Sequence, residues 1–308
     1  MATTISNGAA KGPSGRRTAR RLLVLCMVGA LTLVGAACSL APIPGDAPLR
    51  YRDAIFATVT KTSDVSYGSA LDQQGVINDL KMDIYQPDSD TNTARPVIVF
   101  VHGGGFSSGD KSEGDLVDQS NFFAMKGYVT ASIDYRLAQP GCLPYSSKCV
   151  QAIFDATHDA QAAVRFFRRY ASLYKVDTSR IAVDGTSAGG ITAQLTGFQS
   201  DDPGTSGNPG YPSTVSAAVS LSGAGIFNNS VTAGDAPVLD FHGTADTAVP
   251  YSWSQATADA AKAAGVEYNL ITWEGDGHVP YVEHRSEILD LTTNFLYRKL
   301  DLGRAEGS

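Results

Sequence analysis

A serine with a glycine two residues away on each side carries the first chemistry in this chain. Gly185-Thr186-Ser187-Ala188-Gly189 follows a short apolar run, Ile181 to Val183. It precedes Ile191-Thr192-Ala193-Gln194-Leu195, which can continue as helix. A strand that turns abruptly into a helix leaves the residue at the bend strained, with its hydroxyl exposed above the sheet edge. The glycines allow close backbone approach on both sides. The helix N-terminus behind the serine favours developing negative charge. Such a serine is a nucleophile; the bland alternative is a Gly/Ser-rich turn. A second stretch, His102-Gly103-Gly104-Gly105, ends the apolar run from Pro96 to Val101. Three glycines at a strand end imply backbone brought close to something. A phosphate cradle fits poorly, because the Lys-Ser/Thr of a P-loop and the spacing of a dinucleotide fingerprint are both missing.

The form Gly-Thr-Ser-Ala-Gly-Gly at 185–190 resembles the nucleophile elbow of the α/β-hydrolase superfamily, in its carboxylesterase and lipase branches. The likeness covers most of the chain after about Tyr67. It implies an α/β fold with a mostly parallel central sheet and helices on both faces, and a serine esterase acting through an acyl-enzyme. Residues 102–105 resemble the His-Gly-Gly-Gly oxyanion loop of lipases and esterases. By that likeness the amides of Gly104 and Gly105 join that of Ala188 in stabilising an oxyanion, and His102 braces the loop. Val238 to Asp246, closed by Val249-Pro250, resembles the acid-bearing loop His-Gly-x-x-Asp-x-x-Val-Pro. Asp246 then matches the triad acid, while Asp240 lies within the strand. His278, in Glu274-Gly275-Asp276-Gly277-His278, matches the late histidine that serves as base. Asp134, in Asp134-Tyr135-Arg136-Leu137, and Asp159 match supporting positions.

The order Ser187, Asp246, His278 is the nucleophile–acid–base order of that superfamily. Each of the three follows a predicted strand, where open α/β sheets place their ligands. The clearest strand is Pro96 to Val101, nearly all apolar, as a central parallel strand covered on both faces should be. Leu80 to Tyr85 alternates well and reads as an antiparallel edge strand. Phe56 to Tyr67 could hold a first strand. Further strands are expected in the first part of Gly127 to Leu137, at Val215 to Leu221, within Val238 to Asp246 ahead of its exit loop, and at Tyr268 to Trp273. Helices are expected at Leu116 to Lys126, Val150 to Tyr174, Tyr251 to Ala264 and Tyr281 to Leu300. Gln199 to Pro212 is a polar loop too short for a helical lid, which points to an open pocket for short acyl groups.

The 308 residues suffice for one large domain, placed at 51–304, after a Pro/Ala-rich tether at 39–50. Residues 1–38 carry five basic residues and no acid, so the remainder holds 19 basic against 31 acidic residues. Such a surface does not favour nucleic acid or anionic membrane. Within 1–38, Arg20-Arg21 precedes an apolar run of 16 residues, Leu22 to Ala37, short for a membrane span. It reads as a signal segment cleaved after Ala37, hence a secreted, periplasmic or cell-envelope protein. Cys38 sits where a lipoprotein carries its lipid anchor, although Gly35 stands where a larger aliphatic is usual. Arg20-Arg21 resembles a twin-arginine signal.

Outside that segment only Cys142 and Cys149 remain. In an oxidising compartment they can form a disulfide, the alternative being two free buried thiols. Neither a metal nor a cofactor is implied. Two cysteines alone make a poor metal site, and Asp155, His158 and Asp159 lack a further ligand nearby. The expected partner is a small-molecule or polymer-borne ester. Three other readings stay open: an acetyl or feruloyl esterase on polysaccharide, a serine peptidase, and a catalytically silent binding protein.

Overall fold

The computed structural model describes residues 39–45, 47–138, 147–200, 202–227 and 231–304. Eight strands form one sheet in the order β1-β2-β4-β3-β5-β6-β7-β8. They are β1 (Val59–Leu71), β2 (Ile77–Pro87), β3 (Arg95–Val101), β4 (Val129–Ile133), β5 (Val176–Thr186), β6 (Ala217–Leu221), β7 (Val238–Gly243) and β8 (Tyr268–Trp273). β1 and β2 pair antiparallel and β2 pairs antiparallel with β4; every pairing from β4 to β8 is parallel. Five helices matter for the site: α1 (Gly114–Ala124), α2 (Ser147–Arg169), α3 (Ala188–Phe198), α4 (Tyr251–Ala264) and α5 (Tyr281–Lys299).

The apolar strands explain the layering. β3, β4, β6 and β7 are buried at every position, so neither sheet face can be left to water. Two buried clusters follow. One joins Val97, Val99 and Val183 to Ala160, Val164 and Phe167 of α2 and to Leu195 of α3. The other joins Ile98, Phe100 and Phe241 to Phe123 of α1 and to Leu289 and Phe295 of α5. Alternate strand residues thus feed opposite layers. Among the described residues no helix is long and apolar enough to cross a membrane.

Two expectations need correction. Leu80 to Tyr85 is antiparallel but lies second in the sheet; the edge is β1, which runs to Leu71. Alternation reports which side of a strand is covered and is blind to how many neighbours hydrogen-bond it. The long helix expected through Tyr174 ends at Arg169, and a separate turn covers Ala171–Tyr174. Within residues 39–50, the carbonyls of Leu40 and Ala41 accept from Asn294 and Arg298 of α5.

Candidate active site

β5 delivers Ser187 at its C-terminal end, where the chain breaks into α3. Ser187 sits at φ 57°, ψ −115°, a region costly for a residue with a side chain. The bend is held by the Ser187 amide donating to Leu221 O at 2.8 Å. The flanking glycines are steric necessities. A Cβ on Gly185 would lie 2.2 Å from Gly189 O, and one on Gly189 would lie 1.9 Å from Val101 O.

The loop after β8 brings His278 to this serine, and the loop after β7 brings Asp246. His278 Nε2 lies 2.7 Å from Ser187 Oγ, and Nδ1 lies 2.7 Å from Asp246 Oδ2. A carboxylate can only accept, so Nδ1 carries the proton and Nε2 is free to accept from the serine. The other carboxylate oxygen of Asp246 accepts the amides of Ala248 and Val249, each at 2.9 Å. Burial alone would raise the Asp246 carboxyl. Hydrogen bonds from His242, His278 and the Val249 amide overcome it and hold the group well below the usual carboxylate range. The His278 loop is fixed in turn by Ser222, whose Oγ accepts the Val279 amide at 3.0 Å.

The glycine loop lies against the elbow: a Cβ on Gly103 would come 3.3 Å from Ser187 Cβ. Gly104 and Gly105 both have positive φ, at 93° and 59°. Gly104 O accepts the amides of Ser107 and Ser108, closing the loop on itself. His102 is buried beneath it, Nδ1 2.8 Å from Gly103 O, its ring stacked on Tyr135 at 4.2 Å. Burial pushes this imidazole below its ordinary value, which suits a brace better than a base.

The two supporting aspartates sit further out. Asp134 accepts from the amide and Nζ of Lys111, in the segment leading into α1. Asp159, fully buried on α2, accepts from Arg136 through its amide, Nε and Nη2. That pairing takes Asp159 away from any metal. Among the described residues no group of three or more metal-capable side chains gathers. Sequence reasoning singled out the segments that hold Tyr135, Arg136 and His242 but not the partners of these three side chains. The first two lie inside the segment Asp134 to Leu137, and the third lies inside the acid-loop pattern.

Ser187 opens onto a cavity of about 500 Å³. Gly105 and Ala188 line it beside the serine, and Ile153, Ile226, Phe227 and Trp253 form apolar walls. Cys149, at the start of α2, also borders it; Cys142, its expected partner, lies outside the described residues.

A serine, an imidazole and a carboxylate joined by short contacts at the C-terminal ends of a mostly parallel sheet define a class: fold and site are those of the α/β-hydrolase superfamily. A family model described as BD-FAE matches residues 82–230, and one described as TAP-like protein matches residues 215–299. Relatives include Esterase LipI of Mycobacterium tuberculosis, 34% identical over 139 residues, which is 43% of this chain and 39% of LipI. Carboxylesterase NlhH of the same organism is 32% identical over 168 residues, covering 53% of this chain and 47% of NlhH. The chain thus spans less than half of these two curated relatives. A solved structure of a thermophilic esterase from Thermogutta terrifontis is 26% identical with a TM-score of 0.64, covering 81% of this chain and 95% of the other.

Proposed function

We propose that the protein hydrolyses carboxylic esters through an acyl-enzyme on Ser187. One observation carries this: the unbroken pair of 2.7 Å contacts from Ser187 through His278 to Asp246, at the mouth of an apolar cavity. Ser187 Oγ attacks the ester carbonyl while His278 Nε2 takes its proton. The N–H groups of Gly104, Gly105 and Ala188 stabilise the oxyanion. The tetrahedral intermediate collapses, and the alcohol leaves with the proton from His278. Water, activated by the same nitrogen, then frees the acid. The Asp246 carboxylate holds the imidazole in the needed tautomer and stabilises it when charged. The substrate is a small-molecule or polymer-borne ester. The T. terrifontis esterase has been solved with butyrate bound and phosphorylated by paraoxon.

Acyl length follows from the cavity. A lidless sequence suggests short acyl groups, but α2, Ile226, Phe227 and Trp253 build an apolar volume that an acetyl group leaves mostly empty. Short to medium chains fit this reading. The basic-then-apolar segment at 1–38 supports export. Cys38 lies outside the described residues, but Ser39 beside it bonds Glu267, just ahead of β8 and at the sheet edge opposite Ser187. A chain lipidated at Cys38 would turn its cavity away from the anchor. A Cys142–Cys149 bridge would stiffen one cavity wall.

The test is treatment with paraoxon alongside a panel of p-nitrophenyl esters, a feruloyl ester and a peptide amide. A phosphoryl adduct on Ser187, loss of turnover in step with it, and ester over amide preference are expected. Turnover that survives full labelling, or no adduct, would refute the reading.

A further inference from the structure

A second imidazole reaches the carboxylate of Asp246. His242, on β7, has no exposed surface. Its Nε2 lies 2.8 Å from Val249 O and 3.2 Å from Asp246 Oδ2. Both are acceptors only, so Nε2 carries a proton. Its Nδ1 lies 2.8 Å from Ser254 Oγ, and Ser254 Oγ lies 2.8 Å from Gly223 O. A hydroxyl has one proton. The two contacts, each 2.8 Å, compete for it: given to Nδ1 it leaves the ring neutral, and given to the Gly223 carbonyl it leaves Ser254 to accept from an Nδ1 that is protonated as well. A ring protonated at both nitrogens is an imidazolium.

A buried cation needs counter-charge; Asp246 supplies it throughout, and Asp240, whose carboxyl burial pushes up to about 6, adds to it above that pH. Asp246 faces His242 from the loop after β7. Asp240, two residues earlier on β7, shares its strand face and is fully buried, with Oδ2 accepting from Tyr268 of β8 at 2.8 Å. The remaining titratable groups around the ring are His278, on the same oxygen of Asp246, and Tyr251 of α4, with ring centroids 5.8 Å apart. Burial would lower the His242 imidazole; hydrogen bonding to Asp246 and the field of Asp240 raise it above its ordinary value.

We propose that His242 is a positioning residue, held as an imidazolium that fixes Asp246 and opposes the charging of His278. This rests on Ser187, His278 and Asp246 acting as a triad. Two imidazoles share one carboxylate oxygen, so a charge on His242 disfavours a second charge on His278.

Two measurements decide it. In protein carrying ¹⁵N in its five histidines, both ring nitrogens of His242 should resonate as protonated at pH 7. A neutral tautomer there would overturn the proposal. His242→Gln keeps a donor for Asp246 and Val249 but cannot carry charge. Its acid limb of kcat/KM should move up by about one pH unit, the scale of one nearby like charge. An acid limb superimposable on that of the unaltered protein would also overturn it. If the variant fails to fold, the nitrogen shifts decide alone. Failure of paraoxon to label Ser187 would instead strike the triad reading, and the protonation of His242 would still be readable.

Discussion

The Tyr135 hydroxyl donates its one proton to the carbonyl of Gly103, at 2.9 Å, and lies 3.2 Å from that of His102. A trans peptide points its C=O and N–H in opposite directions. Holding the Gly103 carbonyl on one side therefore aims the Gly104 N–H to the other. One phenol after β4 thus sets the direction of a proposed oxyanion donor.

Tyr135→Phe should keep the ring stack on His102 and release that carbonyl. We expect kcat to fall about ten- to 100-fold, less than outright loss of an oxyanion donor, with KM little changed. Steady-state kinetics on p-nitrophenyl butyrate checks it. An unchanged kcat would mean that the glycine loop holds its own shape.

Ser187→Ala and Asp246→Asn test the catalytic roles. The first should abolish turnover, and the second should lower kcat on the order of 10⁴-fold by misdirecting His278, both with an unchanged fold. Asp240→Asn should be the milder change, since Asp240 does not touch His278. If Asp240→Asn proved the more damaging, Asp246 would not be the triad acid.

Much of this site is legible in the sequence because its parts are local. The Ser187 elbow, the glycine run after β3, Asp246 and His278 each occupy a short loop directly after a strand, so a few neighbouring residues announce each one. What joins them is not local. The sequence does not show that β1 rather than β2 forms the sheet edge. Nor does it show that Tyr135 reaches back 32 residues to Gly103, or that Arg136 spends its guanidinium on Asp159. The cavity is the least legible part. Its walls come from α2, from residues 226–227 and from α4, and no single stretch looks like a pocket. Hence the expectation of a short-acyl site, drawn from loops that are polar in sequence.

A third prediction concerns pH and stability. Asp184, beneath the elbow, is fully buried, and its Oδ2 has no partner. Burial first, and the nearby Asp115 second, push its carboxyl up to about 8 from 3.8. The folded state thus holds a proton that the unfolded chain releases above 3.8. This group therefore costs stability as pH rises from there towards 8, and costs nothing below. Asp184→Asn keeps the shape and removes the titration. Its Tm advantage over the unaltered protein should be larger at pH 8 than at pH 4. A difference independent of pH would show that Asp184 is not held protonated.

The last prediction is the acyl profile. Each methylene that leaves water for an apolar wall gains about 0.8 kcal/mol, roughly fourfold in kcat/KM at 1.4 kcal/mol per decade. The cavity of about 500 Å³ beside Ser187 lies within the usual range for small-molecule sites. Its walls Ile153, Ile226, Phe227 and Trp253 offer that gain well past two carbons. Specificity should therefore rise from acetate through butyrate to hexanoate, and flatten once the chain outgrows the cavity. Ala256, which also lines it, gives a way to shorten the pocket. Ala256→Phe should leave acetate turnover nearly unchanged while cutting kcat/KM for hexanoate, moving the optimum to shorter chains. The measurement is kcat/KM for p-nitrophenyl esters below their aggregation concentrations, in both proteins. A profile that falls from acetate onward would show that acyl groups do not enter this cavity. The chamber would then hold the alcohol side of the ester, and varying the alcohol at fixed acetate would reveal the same rise.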